Sequence, residues 1–233
     1  AFKDGHPLTL NLITPPVLPN VKAHFPLLIY VPDVDEHNMV KIDERFAQML
    51  EIAKRGYAVA LISYRTNTDV TAMVKDIHSA TRFLLDHAFK YKLDPYRYLL
   101  FGEGLGGYLS SLSILDQGQQ RANDEDVRRS PLRYKGCLLL ETSLTPHPFS
   151  GPFLSELLLQ NTQKLPPLLI LNGTADNTLT DKQATELLST IQSRGSEVSL
   201  FNFEGATLSS DAFFTPYSLD FLFEFIKHSF TKK

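Results

Sequence analysis

The run Tyr98-Leu99-Leu100-Phe101-Gly102-Glu103-Gly104-Leu105-Gly106-Gly107 sets an apolar segment directly before a glycine-rich turn and a helix-forming stretch. A strand turning sharply into a helix, with small residues around a central position, is the pattern of a nucleophile elbow, G-x-S-x-G, whose serine projects above a sheet to attack an acyl carbon. Here the centre is Gly104, so the turn is kept and the hydroxyl is absent. Glycine also relieves the roughly 1–3 kcal/mol of backbone strain that such a position imposes on other residues.

The residues Gly102 to Gly107 also match G-x-G-x-x-G, the phosphate cradle of dinucleotide-binding folds, and NAD(P) binding is the alternative function they raise. That site requires the motif after the first strand and an acid at the end of the next, about 20 residues on. Here the motif follows the fourth strand-like run, and Asp124-Glu125-Asp126 stand at that distance in a polar tract. A purely structural glycine turn is the third reading. Among other reactive types, His147 in Thr145-Pro146-His147-Pro148 follows an apolar run and is a candidate replacement base. His78, His87 and His228 lie on helical segments and read as surface or interhelical residues, and Ser110 and Ser111 as pointing away within the helix after the elbow. The seven histidines show no ligand spacing with cysteine or carboxylate, so no metal and no cofactor are expected. The lone cysteine, Cys137, reads as a small core residue.

The elements that must position these groups follow from hydrophobic periodicity. Leu8, Leu10 and Leu12 alternate as in a half-buried strand, and the later runs Pro26–Val31, Tyr57–Ile62, Tyr96–Phe101, Cys137–Leu140, Leu168–Leu171 and Val198–Phe203 are continuous, as in strands covered on both faces. Between them lie amphipathic segments. Phe46, Met49, Leu50 and Ala53 share one helical face, ended by Gly56, and Met73, Ile77, Ala80, Phe83 and Leu84 share another, begun by Asp69. Thr180 with Gln183 forms a capping box, and Thr215-Pro216 starts a last helix. Alternating strands and helices predict an α/β fold, a mostly parallel sheet with helices on both faces, as a single domain over residues 1–233. The Leu8 strand is expected antiparallel at the edge beside the Pro26 strand, and the tract 117–133 as a polar surface loop. A net charge of −3 over 233 residues, with dispersed basic residues, gives no footprint for nucleic acid. No apolar run is long enough for a membrane span, and the first residues do not read as a signal peptide, so a cytoplasmic location is the default, with a trimmed leader left open.

The order and spacing of Arg55-Gly56-Tyr57-Ala58-Val59-Ala60, Ser63-Tyr64-Arg65, Asp76 to Leu84, Leu93-Asp94-Pro95-Tyr96-Arg97, the elbow and Leu171 to Asn177 resemble the α/β-hydrolase superfamily, within it the small bacterial carboxylesterases related to acetyl-xylan and feruloyl esterases. The resemblance implies an acid after the seventh strand, which Asp176 matches, and a histidine after the last strand, where Glu204-Gly205-Ala206-Thr207-Leu208 carries Leu208 instead. Leucine cannot move a proton. It also implies an H-G-G-G oxyanion loop where this chain reads Tyr30-Val31-Pro32-Asp33-Val34-Asp35-Glu36. Proline has no N–H, and the acids oppose a developing oxyanion, leaving the Leu105 N–H as the one expected donor. Three components changed together read as natural loss. The expectation is an esterase-like homologue without nucleophile and base, keeping a cleft bounded by Asp33, Val34, Gly104, Leu105, Asp176 and Leu208 for a small-molecule or ester-like ligand or a partner. The alternatives are an active carboxylesterase using replacement groups such as His147, and the dinucleotide binder.

Overall fold

The computed structural model describes residues 2–3, 5–16, 23–117, 130–161, 163–175, 179–207 and 209–231. Its strands are β1 (Phe2–Lys3), β2 (His6–Pro7), β3 (Leu10–Ile13), β4 (Phe25–Val31), β5 (Ala58–Ile62), β6 (Leu93–Glu103), β7 (Cys137–Leu140), β8 (Leu168–Gly173) and β9 (Val198–Phe203). Its helices are α1 (Phe46–Lys54), α2 (Val70–Asp86), α3 (Ala88–Tyr91), α4 (Leu105–Asp116), α5 (Leu154–Gln160), α6 (Asp181–Gln192) and α7 (Pro216–Thr231). Seven strands form one sheet in the order β3-β5-β4-β6-β7-β8-β9, and β1 and β2 pair separately. All ladders of the large sheet are parallel except that of β3. This is the mostly parallel α/β sheet that the alternation of elements predicts, in the arrangement that the resemblance to α/β-hydrolases implies.

The strand β3 is antiparallel at the edge, as expected, but its partner is β5, with Leu10 opposite Ile62, rather than β4. Ser63 secures the pairing: its backbone N–H donates to the Thr9 carbonyl, and its hydroxyl accepts the Thr9 N–H. The strands β5, β7 and β8 are buried throughout, and β4 and β6 from Leu27 and Tyr98 onward, whereas β9 mixes half-buried and exposed positions because it forms the far edge. Its two exposed positions are the polar Ser199 and Asn202, so reading 198–203 as a strand covered on both faces overstated its burial.

Two apolar layers flank the sheet. Leu100 and Leu139 pack on the side of α2 and α4, while Leu99, Phe101 and Leu138 pack on the side of α1 and α7. The side-chain alternation of strands produces this division. The helix starts are locally encoded: the Asp69 carboxylate accepts the Ala72 N–H, Thr180 and Gln183 cap α6 reciprocally, and Thr215 Oγ1 accepts the Ser218 N–H. In α1 the buried face is Met49, Ile52 and Ala53, with Phe46 and Leu50 exposed, and in α2 Phe83 is exposed. Those three side chains were expected on the core faces; each helix meets the sheet over a narrower stripe than its apolar residues cover. Cys137 is fully buried, which pushes its thiol pKa up, away from the reactive range. The polar tract predicted over 117–133 lies, for 118–129, outside the described residues.

Candidate functional site

Gly104 directly follows β6 at the sheet's carboxyl edge, where α/β folds bind ligands. Gly104 has φ 54° and ψ −120°, a backbone region nearly closed to residues with a Cβ. The turn is a sharp elbow between β6 and α4. The neighbouring glycines are needed for close approach: a Cβ on Gly106 would stand 2.1 Å from the Val31 carbonyl oxygen, one on Gly107 2.3 Å from Thr142 Oγ1, and one on Gly102 2.4 Å from the Gly106 oxygen. Real Cβ atoms do not approach so closely, so α4 can sit against the ends of β4 and β7 only without these side chains. The elbow backbone is tied down by Gly104 N–H to the Leu140 carbonyl at 3.0 Å and by Ser143 N–H to the Gly104 carbonyl at 3.2 Å.

Asp33 lies directly over this turn. Its Oδ1 accepts the Leu105 N–H at 2.9 Å, and a Cβ built on Gly104 would fall 2.4 Å from its Cγ. The half-buried carboxylate thus caps the first N–H of α4 from another loop and occupies the space a side chain at 104 would enter. The sequence reading left the Leu105 N–H as a donor open to ligand; in the structure Asp33 holds it. Burial raises the Asp33 carboxyl pKa above the ordinary range, opposed by hydrogen bonds from the Leu105 and Val34 N–H groups.

The loop is built to hold that carboxylate there. The Tyr64 hydroxyl donates to the Pro32 carbonyl at 2.8 Å, and Lys41 N–H donates to the Asp33 carbonyl at 2.9 Å. Val34 is half-buried and bridges Val40, while Asp35 Oδ1 accepts the N–H groups of His37 and Met39. Tyr64 is followed by Arg65, which makes a buried bidentate pair with Asp76, Nε to Oδ2 and Nη2 to Oδ1, both at 2.8 Å. The stretches Ser63-Tyr64-Arg65 and Asp76, which carried part of the family resemblance, are therefore one scaffold under the Asp33 loop.

Two further acids line this end of the sheet, and sequence reading missed both. Glu103 faces the α1 and α7 side, opposite Asp33, where its Oε1 accepts Arg45 Nε at 3.0 Å and Nη2 at 2.9 Å and its Oε2 accepts the Tyr30 hydroxyl. Arg45 in turn lies 5.3 Å from the centre of the Phe214 ring. Glu141 follows β7 with φ 46°, is buried, and accepts the Gly173 N–H. A Cβ on Gly173 would stand 2.4 Å from Glu141 Oε1. The available signal was a carboxylate closing an apolar strand at the sheet's carboxyl end, in Glu103 and Glu141 alike.

Of the remaining candidates, His147 is exposed on the loop after β7. His78 is buried between α2 and α4 with Nε2 3.1 Å from the Ser113 carbonyl, whereas His87 and His228 are exposed. Ser110 is buried beneath the turn, its Oγ 2.5 Å from where a Gly102 Cβ would lie. Asp176 and Leu208, the expected acid and base positions, lie outside the described residues. Among the described residues no cluster of three or more histidine, cysteine or acidic side chains could hold a metal, and no helix is long and apolar enough to cross a membrane.

Chemically, the elbow offers an acceptor where acyl transfer needs a nucleophile and N–H donors. This gives a test of the Asp33 contact. A carboxyl whose folded pKa is raised contributes stability below its unfolded pKa and loses it as pH rises through the folded value. Asp33→Asn keeps an oxygen for the Leu105 N–H and removes the desolvated charge, so the variant is expected to match wild type near pH 4 and to equal or exceed it near pH 7. Urea denaturation at the two values checks this, and a loss confined to neutral pH contradicts it.

Similarity to known proteins agrees with this architecture. A model of the BD-FAE family matches residues 17–135, about half of the chain. The chain is 25% identical over 189 residues to a probable isoprenylcysteine alpha-carbonyl methylesterase, ICMEL1, of Arabidopsis thaliana, and 22% identical over 187 residues to the probable ICME of Oryza sativa subsp. japonica. Each match takes in 67% of this chain but only 40% and 45% of those proteins, so the chain spans less than half their length. Among solved structures, Thermogutta terrifontis esterase 2 phosphorylated by paraoxon superposes with a TM-score of 0.80 at 20% identity, over 99% of this chain and 93% of that one. A phosphonate-inhibited esterase B of Lactobacillus rhamnosis gives 0.72 at 20% identity, over 95% and 81%. On the family match, the order of the sheet and the glycine elbow, this chain belongs to the BD-FAE family and has the esterase-like α/β-hydrolase fold.

Proposed function

We propose that this chain is a pseudoenzyme of its esterase-like family: it keeps the cleft at the carboxyl end of β6 for a small-molecule or ester-like ligand, or for a partner, and does not hydrolyse esters. The observation that carries the reading is the Asp33 carboxylate seated on the Leu105 N–H, in the space a serine at 104 would need. In acyl transfer that N–H would stabilise the oxyanion and residue 104 would supply the attacking oxygen. Here both places are taken by one anion, which also repels negative charge developing nearby. The same carboxylate speaks against a dinucleotide at Gly102 to Gly107, whose pyrophosphate would have to share the helix N-terminus with it.

The test is hydrolysis of p-nitrophenyl acetate and butyrate by purified protein, with intact mass after exposure to paraoxon, the reagent carried by the structural neighbour. The expected results are turnover indistinguishable from a mock purification and an unmodified mass. Saturable turnover lost in His147→Ala would overturn the proposal in favour of an esterase with replacement groups, and a stoichiometric phosphoryl adduct would reveal a nucleophile elsewhere in the cleft.

A further inference from the structure

At the opposite end of the sheet, a cavity of about 810 Å³ opens between the C-terminal part of α2, the start of β6 and the segment leading into β7. Among the described residues its wall carries three cations, Arg82, Arg133 and Lys135, and one carboxylate, Asp86. Arg82 is only 6% exposed, and its Nε and Nη1 are buried without a hydrogen-bond partner. A desolvated guanidinium with unsatisfied N–H groups is among the costliest of buried groups, and a bound ion or water that reached it would complete it. The neighbouring phenols cannot supply the charge, since burial raises the pKa of both Tyr98 and Tyr134 and keeps them neutral. Arg133 N–H donates to the Tyr98 hydroxyl at 2.6 Å and Lys135 N–H to the Tyr98 carbonyl at 2.9 Å, so the backbone that carries the two outer cations is held beside β6.

We propose that this cavity binds a phosphate group, either as inorganic phosphate or as a small aromatic phosphate monoester. Among the described residues, three cations against one carboxylate leave a net positive wall suited to a dianion, and arginine is the side chain best matched to phosphate oxygens. Tyr96, 78% exposed at the same wall, offers a ring face for an aromatic ester group. The site is separate from the elbow, so it stands or falls independently of the esterase question.

Isothermal titration in chloride buffer, with inorganic phosphate and with phenyl phosphate as the probes, tests the proposal. Saturable one-to-one binding is expected for at least one probe, with phenyl phosphate tighter if Tyr96 contributes and the two equal if free phosphate is the ligand. Arg82→Gln and Arg133→Gln should each weaken binding by about tenfold or more, the loss of one charge-assisted hydrogen bond. Arg133 is exposed, so its variant keeps the test decisive if the Arg82 variant fails to fold. Arg82→Met should be as stable as wild type, or more so, without phosphate. Absence of saturable binding tighter than about 1 mM by wild type, or binding unchanged in Arg133→Gln, would overturn the site.

Discussion

Arg45→Met is expected to cost about 3–5 kcal/mol of stability, because it strands the Glu103 carboxylate in the layer beneath the elbow. Glu103 and Arg45 are both almost completely buried, and the guanidinium supplies two of the three hydrogen bonds the carboxylate accepts. Burial raises the Glu103 pKa above the ordinary carboxylate range, and Arg45 is the main influence holding it down. Removing Arg45 lifts it further. A raised folded pKa means stability present in acid and lost as pH rises through that value, so the deficit of the variant relative to wild type should be smaller near pH 5 than near pH 8. Replacing the whole cluster, Arg45→Met with Glu103→Leu and Tyr30→Phe, should recover most of the loss, since no buried charge or phenol hydroxyl is then left unmatched. Chemical denaturation of the single and triple variants at both pH values is the measurement. A single variant within about 0.5 kcal/mol of wild type would show that Glu103 finds another partner or water.

Gly104→Ser is expected to lower stability by about 2–6 kcal/mol and to create no esterase. About 1–3 kcal/mol comes from forcing a Cβ into φ 54°, and a comparable amount from overlap of that Cβ with the Asp33 carboxylate. Only the second part depends on Asp33. In an Asp33→Ala background the cost of Gly104→Ser should therefore fall by about 1–3 kcal/mol, a coupling that a double-mutant cycle reads directly. Ester turnover should stay at background in the single variant, because a serine hydroxyl without an adjacent base is a weak nucleophile. Additive stability effects in the cycle would mean that Asp33 moves aside freely and does not fill the serine's place. Turnover appearing in Gly104→Ser alone would mean that a base is already within reach.

Local signals in the chain were legible because each answers a local backbone requirement. Gly104 at a turn that needs positive φ, Asp69 and Thr180 at helix starts, Gly56 after a helix and Pro216 at a first helical turn all act over a few residues. The continuous apolar runs likewise predicted the central strands and, through their alternation with helices, the α/β class. The amphipathic faces were read less well. Phe46, Leu50 and Phe83 satisfy the helical period, but periodicity gives a direction around the helix and not the width of the surface that will cover it.

By itself, then, the sequence determined the parallel sheet, the elbow between β6 and α4, and the absence of a hydroxyl at its centre. It also named Asp33 and Leu105 as neighbours of the site, on a resemblance that the family match supports. Only the tertiary structure decided what that site became. Asp33 and the Leu105 N–H are 72 residues apart, Arg45 and Glu103 58, and no short-range pattern encodes which acid meets which donor. Those contacts depend on strand order, which sets β4 beside β6, and on glycines whose missing Cβ atoms let α4 approach the Val31 carbonyl. Once the backbones are that close, a carboxylate on the loop after β4 reaches the first N–H of α4, and the charge at the elbow follows from packing.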